Sequence, residues 1–346
     1  MTKHLYFLIL LFAAMMFNYP QPIAGLDIDS DCPDPQVLTI NNADQVEQFH
    51  IIEKDPESWV DSIAVDSSGS RAAVGDKQGI ITLVNIDELD IEWEIEAHSF
   101  QVNELAFNPN DPFELASASP DRTIKIWNVE TGEILHVFEG FEGAVSAITY
   151  HPERNLLVSA SGKFFAEDTI SVWDTDLAEQ VSQMRVDDRE IIWLAFAPTG
   201  SRVVSGDYSG TVRVWDFPFG GELAAFDTND NGLNAVAIDP RGDYLATAGF
   251  DEMVTVWDAQ TYELLTHLTG YEDEIYSLVF SPDSSMLVSG DGDGVVRMWR
   301  TDTWHQIVEI EAHPYPVMTI AFDPDGRYFL TGSTDGTVRF WGVCGE

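Results

Sequence analysis

His98, Ser117 and Asp121 are the three side-chain types of a hydrolytic triad, and His313, Thr331 and Asp335 repeat them with a threonine for the serine. Such a set can pass a proton from a hydroxyl to an imidazole held by a carboxylate, the chemistry of acyl transfer. The two sets share their spacing to within one residue. An active site rarely appears twice in register, so the recurrence points to a structural role. Other chemistries leave no signature: there is no G-x-S-x-G elbow, no zinc-type His/Cys cluster and no phosphate-cradling glycine loop. His50, His136, His151, His267 and His305 share no register. Asp27, Asp29, Asp31 and Asp34 alternate like the start of a calcium loop. However, Cys32 replaces the glycine of that loop's sixth position and no glutamate closes the twelfth, so a solvated acidic linker is the better reading. Asp291-Gly292-Asp293-Gly294 occupies a tight turn, where Asp and Gly are expected anyway. No catalytic residue, metal or cofactor is expected.

The elements that hold these residues are set by a repeat. Similar strand ends recur at Val84, Trp127, Trp173, Trp215, Trp257, Trp299 and Trp341, spaced 43, 46, 42, 42, 42 and 42. A turn proline follows 25 residues after each of the first six, at Pro109, Pro152, Pro198, Pro240, Pro282 and Pro324. A period in this range marks a radial array whose units cannot bury an apolar face alone. Within one unit, residues 234–238, 244–248, 253–257 and 263–268 read as four short strands joined by Asp/Pro/Gly turns, with no helical period. The expectation is an all-β, seven-bladed β-propeller of four-stranded antiparallel blades.

Composition bounds the partners. The 346 residues include 59 acidic and 17 basic side chains, a net charge of −42. That surface repels nucleic acid and anionic lipid, which need Lys and Arg, and it favours basic partners. Residues 1–25 differ from the rest: Lys3 and His4 precede an apolar run from Leu5 to Phe17 that Asn18-Tyr19-Pro20 breaks. This reads as a secretory signal, or as an uncleaved anchor, with a secreted or extracytoplasmic location. The domains are then 1–25 signal, 26–45 acidic leader and 46–346 propeller. No further stretch could span a bilayer as a helix, and a monomer is expected.

The ends Val172-Trp173-Asp174, Val214-Trp215-Asp216 and Val256-Trp257-Asp258 resemble the Trp-Asp dipeptide of WD-repeat proteins, and the charge and signal resemble bacterial exported members. The likeness runs from about residue 46 to 343, although Asn85, Asn128, Arg300 and Gly342 stand where the aspartate should be. The resemblance implies a hydrogen-bonded set of His98, Ser117, Asp121 and Trp127 in unit two, and of His313, Thr331, Asp335 and Trp341 in unit seven. Ser159, Ser205, Thr247 and Ser289 keep the hydroxyl elsewhere, but Phe141, Asp187, Asn229 and Tyr271 stand at the histidine position. Four or five blades should therefore rely on packing alone.

Unit seven stops after its third strand, so Val46–Ile52, at a fourth-strand position, should pair with Thr337–Trp341 and close the ring. Cys344 then meets the neighbourhood of Cys32, and a Cys32–Cys344 disulfide is expected; two spare terminal thiols are the alternative.

In this family partners commonly dock where the chain enters each first strand and at the turns between strands two and three. Those positions carry Trp59, Glu190, Tyr208, Phe250, Glu274, Tyr276 and Tyr315, and an insertion in unit three adds Phe164 and Phe165. An aromatic and acidic rim suits a basic or mixed peptide. The expected function is a noncatalytic, exported protein- or peptide-binding scaffold. The alternatives are a propeller enzyme of hydrolase or lactonase type at the channel mouth, and a calcium-associated cell-surface module.

Overall fold

The computed structural model describes residues 32, 35–54, 57–162, 168–186, 190–218, 221–228 and 232–344. Phe164 and Phe165, the signal region, Asp27, Asp29, Asp31, Asp34, Asp187 and Asn229 lie outside them. Blade 1 is the meander Val60–Val65, Arg71–Asp76, Ile80–Asn85 and Asp90–Glu96. Five more four-stranded meanders follow, beginning at Glu104, Ala144, Ile191, Leu233 and Ile275. Blade 7 takes Val317–Phe322, Tyr328–Ser333 and Thr337–Cys344 from the C-terminal end and Glu47–Glu53 from the N-terminal end. The first strand of each blade packs against that of the next right around the ring. Among the described residues there is no α-helix, only a 3-10 turn at Ala43–Gln45.

Alternation explains the blades. Second and third strands are buried on both faces, because each sheet is sandwiched between two neighbours. Fourth strands alternate between exposed and half-buried residues, as in Asp90–Glu96 and Gln306–Glu311. Each tryptophan of the period is buried against the preceding blade: Trp173 packs with Phe138 of blade 2, and Trp257 with Phe226 of blade 4. Apolar contact across blade interfaces is thus the main cohesive term.

The clasp has the register expected from the repeat, with Glu47 opposite Gly342 and Glu53 opposite Thr337. Cys32 and Cys344 form a disulfide. The second half of the acidic leader is more structured than a linker. Pro35 and Gln36 pair with Cys344 and Val343, the Leu38 amide donates to the Gly326 carbonyl at 2.7 Å, and Leu38 and Ala43 are buried between blades 6 and 7. Leu38 supplies the physical reason, since an apolar side chain is driven out of water into the nearest apolar seam.

Around the channel, first-strand edges that would lack partners are satisfied by the preceding blade. Ser62 Oγ accepts from the Leu105 amide at 3.0 Å, Asn103 Nδ2 donates to the Val145 carbonyl at 2.8 Å, and Glu104 Oε2 accepts from the Ile148 amide at 2.6 Å. Ser146 Oγ donates to the Ile191 carbonyl, and Asp168 Oδ2 accepts from the Ile191 amide.

Candidate binding face

The triad-like residues form closed chains. Asp121 Oδ2 lies 2.9 Å from His98 Nδ1, His98 Nε2 lies 2.7 Å from Ser117 Oγ, and the Trp127 indole donates to that oxygen at 2.8 Å. In blade 7 the same links join Asp335, His313, Thr331 and Trp341 at 3.0, 2.6 and 2.9 Å. Ser117 and Thr331 are wholly buried. A hydroxyl that already serves an indole and an imidazole inside a sheet cannot meet a substrate. Burial lowers the pKa of both His98 and His313 against the pull of their aspartates, so the imidazoles stay neutral at neutral pH.

The expectation that blades without the histidine rely on packing alone is corrected. The indoles of Trp173, Trp215 and Trp257 donate to Ser159, Ser205 and Thr247 at 2.9, 2.9 and 3.0 Å. In blade 6 the Tyr271 hydroxyl sits between Ser289 Oγ, at 2.7 Å, and the Trp299 indole, at 2.9 Å. A phenol reaches the same point as an imidazole and offers both a donor and an acceptor, which position matching by residue type could not show.

The chemistry-bearing residues that reach solvent gather on the upper face, defined by the approaches to first strands and the turns between strands two and three. Glu190, Tyr208, Phe250, Glu274 and Tyr276 come together across blades 4 to 6. The Tyr208 amide donates to the Glu190 carbonyl at 2.9 Å, and the Tyr208 ring meets Phe250 edge-on with centroids 5.7 Å apart. Burial raises the Tyr208 pKa, and the Glu190 and Glu274 carboxylates raise it further. The Tyr276 hydroxyl donates to Glu274 at 2.8 Å. Trp59 stands in blade 1 with the Lys77 ammonium 3.2 Å above its ring, a cation–π contact. Tyr315 is exposed where the chain enters blade 7.

Two features escaped the sequence reading. Phe100 is the most exposed aromatic ring among the described residues, at 59%, and follows His98 on the same face. Asp168, the last residue of the blade 3 insertion, is buried beside a cavity of about 400 Å³ lined by Gly143, Ala144, Ser146, Gly162, Glu190 and Ile191. The sequence shows the insertion through Phe164 and Phe165, whereas the burial of Asp168 depends on the contact with blade 4. Among the described residues no three His, Cys, Asp or Glu side chains converge to hold a metal ion, and no helix is long and apolar enough to cross a membrane. His50, His136, His151, His267 and His305 belong to different strands and turns: His151 packs on Phe196 and Phe217, and His267 lies 3.1 Å from Thr255.

The sequence matches the family described as "WD domain, G-beta repeat" over residues 90–128, 132–174, 181–216, 220–258, 262–300 and 304–342. The chain belongs to the WD-repeat family. The six matches leave out Val60–Asn85, the three strands ending at Val84-Asn85, which the structure shows to be part of a full blade. This WD-repeat chain is similar to Topless-related protein 4 of Arabidopsis thaliana, 31% identical over 34% of the chain and 10% of that protein. It is also similar to Coronin-7 of Mus musculus, 30% identical over 40% of the chain and 17% of that protein. The Lissencephaly-1 homolog of Caenorhabditis briggsae is 28% identical over 30% of the chain and 26% of its own length. Each match thus spans about a third or less of the relative's own length.

Proposed function

We propose that the protein is a noncatalytic, exported scaffold that holds a basic or mixed segment of a partner protein on its upper face. The observation that carries this is the grouping of Glu190, Tyr208, Phe250, Glu274 and Tyr276 across blades 4 to 6. Rings on a rigid frame supply contact area at small entropic cost, and carboxylates beside them select positive charge. Net charge adds long-range attraction for such a partner. WD-repeat relatives with other surroundings suggest a protein-interaction role by analogy of fold, which supports the reading without specifying the partner. The triad-like sets favour a noncatalytic role, since their hydroxyls are buried and committed. Export is supported by the basic and apolar pattern of residues 1–25 and by the Cys32–Cys344 disulfide, a bond that persists in oxidising compartments.

Affinity capture from the native extracellular fraction tests this, with the wild type beside Tyr208→Ala and Phe250→Ala proteins of matched melting temperature. A partner held by the wild type and lost from the variants supports the site. The same partner held equally by all three moves recognition elsewhere on the ring. Absence of any reproducible protein partner overturns the scaffold.

A further inference from the structure

We propose that the cavity between blades 3 and 4 is a socket for one cationic side chain of the bound segment, a lysine ammonium or an arginine guanidinium, with Asp168 as its counter-ion. This rests on the scaffold reading and assigns to it the chemistry of one anchor residue.

The geometry starts from how other blades treat the carboxylates buried around the turn between strands two and three. Asp76, Asp207 and Asp291 end the second strands of blades 1, 4 and 6, are buried, and cap the following turn through Oδ1. Each gives its second oxygen to a cation of its own chain: Lys54 at 2.6 Å, Arg213 at 3.2 Å, and Arg297. In blades 2 and 7 the turn aspartates pair with His98 and His313. Blade 3 has Ser161 at that second-strand position, and Asp168, the first residue of its third strand and 1% exposed, spends Oδ2 on the Ile191 amide of blade 4. Its Oδ1 has no hydrogen-bond partner and lies over Gly162, at the cavity wall. A side chain in place of Gly162 would collide with that oxygen, so the glycine is what admits the carboxylate there. A buried carboxylate oxygen without a partner is costly, and in blades 1, 4 and 6 a positive charge meets that cost.

The cavity fits such a guest. Its volume of about 400 Å³ lies within the range of ligand pockets. Gly143, Ala144, Gly162 and Ile191 offer apolar wall to an alkyl stem, while Glu190 adds a second carboxylate beside Asp168. Ser146, the one hydroxyl of the wall among the described residues, already donates to the Ile191 carbonyl within the ring. Tyr208 follows directly on Glu190 through the backbone bond between them, so a segment anchored in the socket passes onto the aromatic patch.

Burial raises the Asp168 carboxyl to about 6, with the Ile191 and Glu190 amides lowering it and the Glu190 and Asp207 carboxylates adding to the rise. A guest cation should therefore be held above that pH and released below it.

The test is an array of short acetylated peptides that differ only in a central lysine, arginine, norleucine or glutamate, probed with the full chain. Wild type should retain the lysine and arginine peptides over norleucine and glutamate, and lose them as the pH falls below about 6. Asp168→Asn, whose amide oxygen still accepts from Ile191, should weaken basic peptides about tenfold or more at unchanged melting temperature. If Asp168→Asn melts early, Glu190→Gln reads the same selectivity with the Ile191 contact intact. Norleucine held as well as lysine, or selectivity unaltered in the variants, overturns the socket while the scaffold stands. Retention of no peptide at all overturns both.

Discussion

Ser117 Oγ serves an indole and an imidazole at once, so its removal is felt twice. Ser117→Ala leaves two buried polar groups without partners and should cost about 2–4 kcal/mol in urea unfolding. Tyr271→Phe tests the phenol that replaces a histidine in blade 6 and should cost about 1–3 kcal/mol, because the Trp299 indole and Ser289 lose their common partner. An unchanged midpoint would show that packing alone carries that blade. Titration acts on two other groups in opposite senses. Part of Glu104 reaches the channel, but protein surrounds the carboxyl and burial raises it to about 8, against an ordinary value of 4.5. Across that window the folded state binds more protons than the unfolded chain, so this contribution to stability is lost as pH rises. His98 and His313 are lowered by burial, so the unfolded chain binds more protons once pH drops below their ordinary 6.5, and stability falls in that direction. Glu104→Gln should therefore gain on the wild type as pH climbs from 4.5 to about 8, read as a widening difference in unfolding midpoints. A constant difference would mean that the carboxyl titrates normally.

At the scale of elements, the clasp unites strands from both ends of the chain, and the disulfide locks it. Cys32 and Cys344 are 312 residues apart, and closing such a loop removes about 5–6 kcal/mol of unfolded-state entropy in the chain model. Reduction should lower the melting temperature while the described strands persist, because the Glu47–Glu53 pairing and the buried Leu38 still hold the seam. Melting in the presence and absence of dithiothreitol, with circular dichroism before the transition, reads both parts. Loss of β-signal on reduction alone would show that the covalent bond, and not the strand pairing, closes the ring. The blade count and the clasp were legible beforehand because a period of 42 residues and a missing fourth strand are properties of the repeat itself. The burial of Leu38 and the pairing of Pro35 with Cys344 were not, since a leader outside the repeat has no register to read.

Across the whole molecule, 59 acidic residues against 17 basic ones place a large negative field around a rigid ring. Self-repulsion of this kind opposes compaction and is screened within a Debye length of about 8 Å at physiological salt. The melting temperature should therefore rise as sodium chloride is increased from low to physiological concentration. A flat response would show that the acids are locally neutralised. The chain by itself determined the all-β repeat, the seven blades and the closing strand, because each follows from local alternation and a nearly constant period, whereas the structure decided that Cys32 and Cys344 are joined. Only the tertiary structure decided that a tyrosine completes the blade 6 relay, that blade 3 reaches across to Ile191, and that one oxygen of Asp168 is left over. The repeat places Tyr271 at the histidine position but not its hydroxyl against Ser289 and Trp299, and a carboxylate's partner is known only when the neighbouring blade is in place.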